Sequence, residues 1–261
     1  MINKALRQLS IAGLATVTLL AAAGAMAKVI ATDEFEDGST RPITLVVLPS
    51  RVELTKQRMI RQEAQVEESG ELETHLTAAV ANEFRAKGYE VTVVDAAAIA
   101  ADPGIRELVV DANRRFDEFM TNIGARLSKG KRIRNREYSV GDEARLLAAR
   151  LDVDALAFAR MQIIVPAAGV RAMNFGMGGE TAMLAVTVVD GASSDIEAYI
   201  TLPALRRGKM FGGHDDIVNN PEEQMANYAN GTLDDIPRAD PSLRVETSEE
   251  DVLSDLESLL E

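Results

Sequence analysis

Two short β-branched runs, Ile43-Thr-Leu-Val-Val-Leu48 and Tyr89-Glu-Val-Thr-Val-Val94, flank a stretch whose apolar residues fall at helical spacing. This pattern limits the fold more than any other feature of the chain. A strand, a helix and a second strand within about fifty residues form a crossover, and a crossover sets its two strands parallel in one sheet. Pro49 stops the first run, because a proline cannot donate to a ladder. The segment from Arg51 to Lys87 is expected to be mostly helical. Its clearest face is Leu72, Leu76, Ala79, Val80 and Phe84, with Gly88 as the stop.

The pattern continues downstream. Pro103 sits in the first turn of a helix expected from about Asp102 to Asn122, where a missing amide costs little. Ser139, with Asp142 three residues later, has the spacing of a capping box opening a helix through Ala144, Leu147, Ala148 and Leu151. Asp154 to Val165 is the third strand. Thr181 to Asp190 and Ile196 to Leu202 flank the turn residues Gly191-Ala-Ser-Ser-Asp195 as a hairpin. A last helix is expected from about Pro221 to Asn230, ending at Gly231. Residues 28–41 are polar and aperiodic and read as a mature N-terminal lead ahead of the domain. The predicted fold is α/β: a mixed sheet of about five strands flanked by helices, with a C-terminal hairpin and a disordered acidic tail.

The chain starts with a secretory pattern. Lys4 and Arg7 precede the apolar run Ile11 to Ala23, and Ala25-Met26-Ala27 is a small-x-small cleavage site before Lys28. The run is too short for a comfortable membrane span. Residues 1–27 therefore read as a cleaved signal peptide, 42–235 as one α/β domain, and 236–261 as an acidic tail with a short amphipathic helix. The expected location is the periplasm, without a stable transmembrane segment. With no cysteine in the chain, disulfides, thiol nucleophiles, Cys-ligated zinc and a lipidated cysteine are excluded.

Net charge is −13, and most of it lies late. From Asp215 to Glu261, 14 acidic residues face only Arg238 and Arg244. Nucleic acid is not an expected partner, since its affinity rests on clustered cations. One cationic cluster exists: Arg126, Lys129, Lys131, Arg132, Arg134 and Arg136 fall within eleven residues that hold no acid. It is a candidate surface for anionic lipid at the membrane periphery, for lipopolysaccharide phosphate, or for the chain's own tail. In the tail, Val252, Leu256 and Leu259 share one helical side and form a candidate docking peptide.

The catalytic candidates are thin. His214, Asp215 and Asp216 in a Gly-flanked loop are the weak candidate metal ligands; a solvated loop explains the same residues. His75 lies on the boundary of a helix face. Gly176-Met-Gly-Gly179 lacks a Gly-Lys-Ser/Thr ending and leads into a strand, unlike a phosphate loop. Met161, Met173, Met177 and Met183 suit core filling as well as a thioether copper site. Asp152 and Asp154 flank a helix-to-strand turn, where local backbone bonding favours Asp. No serine stands in a nucleophile elbow. No catalytic residue and no cofactor is assigned.

The strand Leu45-Val-Val-Leu-Pro49, the Lys87-Gly-Tyr-Glu-Val91 strand start, the helix-to-strand run Ala144–Met161 and the Val186–Gly191 hairpin together resemble the envelope α/β domains related to the TolB N-terminal domain and to the curli secretion protein CsgG. In that group a helix ending in "lgaDalv" feeds a central strand and an "lvDa.tGe" hairpin follows. The resemblance covers about residues 42–235. It implies recognition and assembly in the envelope by binding partner proteins, without catalysis. Its alternative is a self-oligomerising subunit of a secretion or transport apparatus, with 49–68 and 167–180 as inserting or oligomerising segments. Neither segment has the alternation that a membrane barrel requires. A metal- or small-ligand-binding protein is the third reading.

Overall fold

The computed structural model describes residues 27–38, 41–58, 62–94, 96–127, 131–167, 180–207, 216–240 and 242. The protein is α/β, a mixed sheet with helices on both faces. Its strands are β1 (Lys28–Ala31), β2 (Thr44–Val47), β3 (Arg51–Gln57), β4 (Gln62–Ala64), β5 (Glu90–Val93), β6 (Ala155–Pro166), β7 (Glu180–Asp190) and β8 (Ile196–Arg207). The helices are α1 (Asp33–Asp37), α2 (Val66–Ala86), α3 (Ala96–Ala101), α4 (Pro103–Leu127), α5 (Lys131–Arg134), α6 (Asp142–Leu151), α7 (Asp216–Asn219) and α8 (Pro221–Leu233).

The sheet runs β1-β8-β7-β6-β2-β5. As the crossover pattern requires, β2 is parallel to both β5 and β6. Pro49 does not end pairing along β6. It breaks one edge into two strands: β2 pairs with the start of β6, and β3 resumes beside its second half, from Arg51↔Arg160 to Gln57↔Pro166. β4 folds back on β3.

Two hydrophobic layers sandwich the sheet. On the first face Leu72, Leu76, Val80 and Phe84 of α2 and Met225, Tyr228 and Leu233 of α8 cover alternate residues of β6, β7 and β8. On the second face Val109, Ala112, Phe116 and Phe119 of α4 and Ala144, Leu147 and Ala148 of α6 cover Leu156, Phe158, Val189 and Tyr199. Phe116 lies flat on Phe158 with centroids 4.4 Å apart. Burial of each such ring contributes about 2–3 kcal/mol.

Several expectations need correction. Residues 28–41 are not a free lead. Lys28–Ala31 pairs antiparallel with β8, and Phe35 of α1 is fully buried in the first-face core. A four-residue strand and a one-turn helix are too short to show a period. Arg51–Gln57 and Gln62–Ala64 are strands, not helix; Val52 and Leu54 face inward at a spacing of two, alternating with exposed Arg51 and Glu53. The fourth helix runs to Leu127, after a separate α3. α6 starts with Gly141 as its cap, and the Ser139 hydroxyl turns aside to meet the Ser194 hydroxyl at 2.7 Å. α8 continues through Gly231 to Leu233, where a methyl at 231 would meet only a Leu202 carbon at 3.8 Å. Gly88 is the stop of α2, with φ 92°, in the left-handed region that favours glycine.

The free amides of β3 are closed by a helix where a strand would otherwise stand. Ser50, Val52 and Leu54 donate to Thr77 Oγ1 (2.9 Å), a Glu73 carboxylate oxygen (3.2 Å) and Ser69 Oγ (3.2 Å). Four residues of helix rise about 6.0 Å and two residues of strand about 6.7 Å, so side chains at i, i+4 and i+8 match alternate amides.

Candidate interaction surface

The strands outrun the helices of the second face. Counting along that face, the row Ile30, Tyr199, Thr187 and Phe158 lies under α4 and its neighbours. The next row is Lys28, Thr201, Ala185, Arg160 and Arg51. Beyond it come Met183, Gln162 and Glu53, then Thr181, Ile164 and Thr55. No described helix covers these last two rows. Gln162 and Glu53 are exposed, Thr181, Ile164 and Thr55 are half-buried, and Met183 is 45% exposed in mid-strand. On the opposite face the same strands bury Val52, Leu54, Ile163, Ala182 and Leu184. The bare area is about 13 Å along the strands and about 10 Å across three of them.

Arg160 marks the border between the covered and the bare halves. Its Nε donates to Asp117 Oδ1 at 2.7 Å, one terminal nitrogen to Asn113 Oδ1 at 2.8 Å and the other to the Ala159 carbonyl at 3.0 Å. The guanidinium sits over the Phe116 ring, 4.9 Å from its centroid. Burial pushes its pKa down and the Asp117 carboxylate opposes this. Arg51 approaches the other Asp117 oxygen at 3.5 Å. Two guanidiniums on one carboxylate leave this border cationic, beside a bare surface that offers a thioether, amide and hydroxyl groups and one carboxylate. Such a surface can bind by apolar contact and hydrogen bonds. Arg160 is legible as the single charge of strand β6; Asn113 and Asp117 on α4 carry no comparable signal.

The basic stretch is bound to the N-terminal segment. Arg134 Nε lies 4.0 Å from Asp33, Arg136 lies 4.0 Å from Glu34 and 3.8 Å from Glu197, and Arg132 lies 3.4 Å from Glu137. Glu197 is buried at a bulge of β8, where Ile196 and Ala198 face consecutive residues of β7. Arg136 has φ 52°. The side chains of Arg132 and Arg134 remain more than half exposed. Lys131 starts α5 and is exposed. Arg126 is in the last turn of α4, and its side chain, like all of Lys129, lies outside the described residues.

Of the candidate metal ligands, Asp216 opens α7, while His214 and Asp215 lie outside the described residues, as do Val252, Leu256, Leu259 and Gly176–Gly179. Among the described residues no three His, Cys, Asp or Glu are grouped to hold a metal. Met161 and Met183 point to opposite faces of the sheet. Met173 and Met177 are outside the described residues. His75 is half-buried on α2. Asp152 is the left-handed cap of α6. Asp154 is structural: its carboxylate accepts the Ile43 and Thr44 amides. No described helix is long and apolar enough to cross a membrane.

No family model matches the sequence, and no curated protein does. Solved structures that are similar include a point variant of the PelC dodecamer from Paraburkholderia phytofirmans and the PelC dodecamer from the same organism. Each is 9% identical and aligns with 80% of this chain; the TM-scores are 0.38 and 0.36, over 96% and 95% of the PelC chains. Likenesses this distant carry no functional argument.

Proposed function

We propose that this protein is an exported, non-enzymatic recognition or assembly factor of the cell envelope, and that it holds a partner protein on the bare half of the second face. The observation that carries this reading is the continuation of β3, β6 and β7 past the helices, with Met183 and Gln162 facing outward. Met183 stands 45% exposed in mid-strand, near the border where Arg51 and Arg160 share Asp117. Apolar burial of Met183 and Ile164 supplies affinity, and Arg51 with Arg160 steers an acidic partner. The periplasmic location rests on the signal pattern of residues 1–27.

The test is site-specific photo-crosslinking in intact periplasm. A crosslinker placed at Gln162 or Met183 captures one discrete heterologous protein, while one at Leu146, exposed on α6, does not. Adducts only between copies of this chain would replace the proposal with the self-oligomerising reading. Equal capture from Leu146 would remove the assignment of the surface.

A further inference from the structure

β1 begins at Lys28, the first residue after the small-x-small site Ala25-Met26-Ala27. The strand is already paired at that residue, Lys28 opposite Thr201, and Ala27 is half-buried against the first-face core. No spacer separates the scissile bond from the sheet. A peptidase takes the residues on both sides of its target bond in extended form, through the same backbone groups that β1 shares with β8, and cuts only the open state.

The arm that follows is firmly seated. Thr32, fully buried, donates its amide to the Glu197 carbonyl at 2.8 Å and caps α1 by accepting the Phe35 amide at 3.2 Å. Phe35 and Ala31 are fully buried on the first face, and Ile30 is buried on the second. The Arg41 guanidinium donates to the carbonyls of Phe35 (3.0 Å), Glu36 (2.7 Å) and Arg238 (2.7 Å), tying α1 to the residues after α8. Arg134 and Arg136 approach Asp33 and Glu34 from the other side. Two adjacent events therefore compete for Lys28: docking of the arm and hydrolysis of the Ala27–Lys28 bond.

We propose that the Ala27–Lys28 bond is a processing site that docking of residues 28–38 shields, so that efficient cleavage has to precede docking. This inference rests on the export reading above. In the cleavage step water adds to the Ala27 carbonyl carbon and the C–N bond breaks; Ala27 keeps the carboxylate and Lys28 gains a free amino group. While the arm is undocked and the bond can be cut, β8 lacks its outer neighbour from Ala198 to Thr201 and Phe35 lies outside its seat. The released arm fills both. Arg134 of α5 and Arg136 just after it then stand beside the acidic first turn of α1.

The experiment uses the full chain, folded in detergent, with purified type I signal peptidase. Cleavage after Ala27 is compared with that of a variant carrying eight Gly/Ser residues between Ala27 and Lys28, and with Phe35→Ala. The expected result is that the native sequence is cut at least tenfold more slowly than the spacer variant, with Phe35→Ala faster than native. The spacer leaves residues 28–261 unchanged, so it remains informative should Phe35→Ala fail to fold. Equal rates for the native and spacer chains would overturn the coupling while keeping the export reading. No cleavage after Ala27 in any form, including chain freshly diluted from denaturant, would overturn both.

Discussion

Asp154 and Thr44 cap each other across the junction of β2 and β6. The Asp154 carboxylate accepts the Thr44 amide at 2.8 Å and the Ile43 amide at 2.9 Å, while the Thr44 hydroxyl accepts the Asp154 amide at 2.9 Å. Both parallel strands start here, before the Leu45↔Ala155 pair can satisfy these groups. The Asp154 carbonyl in turn accepts the Gly191 amide at 2.7 Å, so a third strand end is held at the same point.

This reciprocity gives a graded prediction. Asp154→Ala leaves the partly buried Ile43 amide and the more exposed Thr44 amide without their acceptor and should cost about 1–2 kcal/mol. Asp154→Asn keeps one oxygen and should cost about half as much. Thr44→Val should lose about 1 kcal/mol, and the double variant less than the sum of its parts, because the two residues share one network. Urea titration of the four proteins measures all of these.

The closing of the β3 edge by α2 predicts a second pattern. Thr77→Val should cost about 1–2 kcal/mol, because the Ser50 amide it serves is buried. Ser69→Ala should cost less, since its hydrogen bond to the Leu54 amide is only partly buried. Amide exchange at Ser50 should accelerate in Thr77→Val by more than the change in global stability explains. Uniform acceleration over the whole sheet would show that the hydroxyl acts only through α2 itself.

Five strands were legible because each buries a continuous apolar run or alternates cleanly. β3 was not, because only Val52 and Leu54 alternate with charged residues before the pattern breaks, too short a run to stand against the helical period that follows from Leu72. β1 gains its meaning only from β8, since four residues carry no period. The Thr32 cap of α1 was visible in principle as a threonine just before an acidic turn. The border at Arg160 was written in strand β6, where one charge interrupts eleven otherwise uncharged residues. The extent of the bare surface was not, because it depends on where α4 ends its passage over the sheet. Helix direction relative to strands is set by packing of Phe116, Phe119 and Tyr138, which no local pattern encodes.

The Gly191 backbone approaches its neighbours too closely for any side chain. A β-carbon there would lie 2.7 Å from the Asp154 carbonyl, 2.8 Å from the Val153 carbonyl and 2.8 Å from the Ala148 methyl. Two of these are backbone atoms fixed by the α6-to-β6 turn, so relief requires moving the hairpin. Gly191→Ala should destabilise by about 3 kcal/mol. Gly70→Ala, with open space around it, should instead stabilise α2 by about 0.5–1 kcal/mol. Opposite signs in thermal melts are the expected outcome.

Tyr89 sets the alkaline limit of the fold. Its ring is buried edge-on to Phe84, with centroids 5.4 Å apart, and its hydroxyl donates to the Pro237 carbonyl at 3.0 Å. Burial pushes its pKa up well beyond the ordinary phenol value, with Arg41 opposing and Glu197 adding to the shift. The phenolate loses both its desolvated seat and its donor role. The folded state therefore holds its proton at a pH where the unfolded chain releases it. Stability from this group is complete below about pH 10 and falls by about 1.4 kcal/mol per pH unit above it. Tyr199, also raised by burial, acts in the same direction. Tyr89→Phe should cost about 1 kcal/mol at neutral pH through the lost bond to Pro237. It should also reduce the slope of stability against pH between 10 and 12, leaving the share of Tyr199. An unchanged slope in Tyr89→Phe, measured by urea unfolding at several pH values, would place alkaline unfolding elsewhere in the molecule.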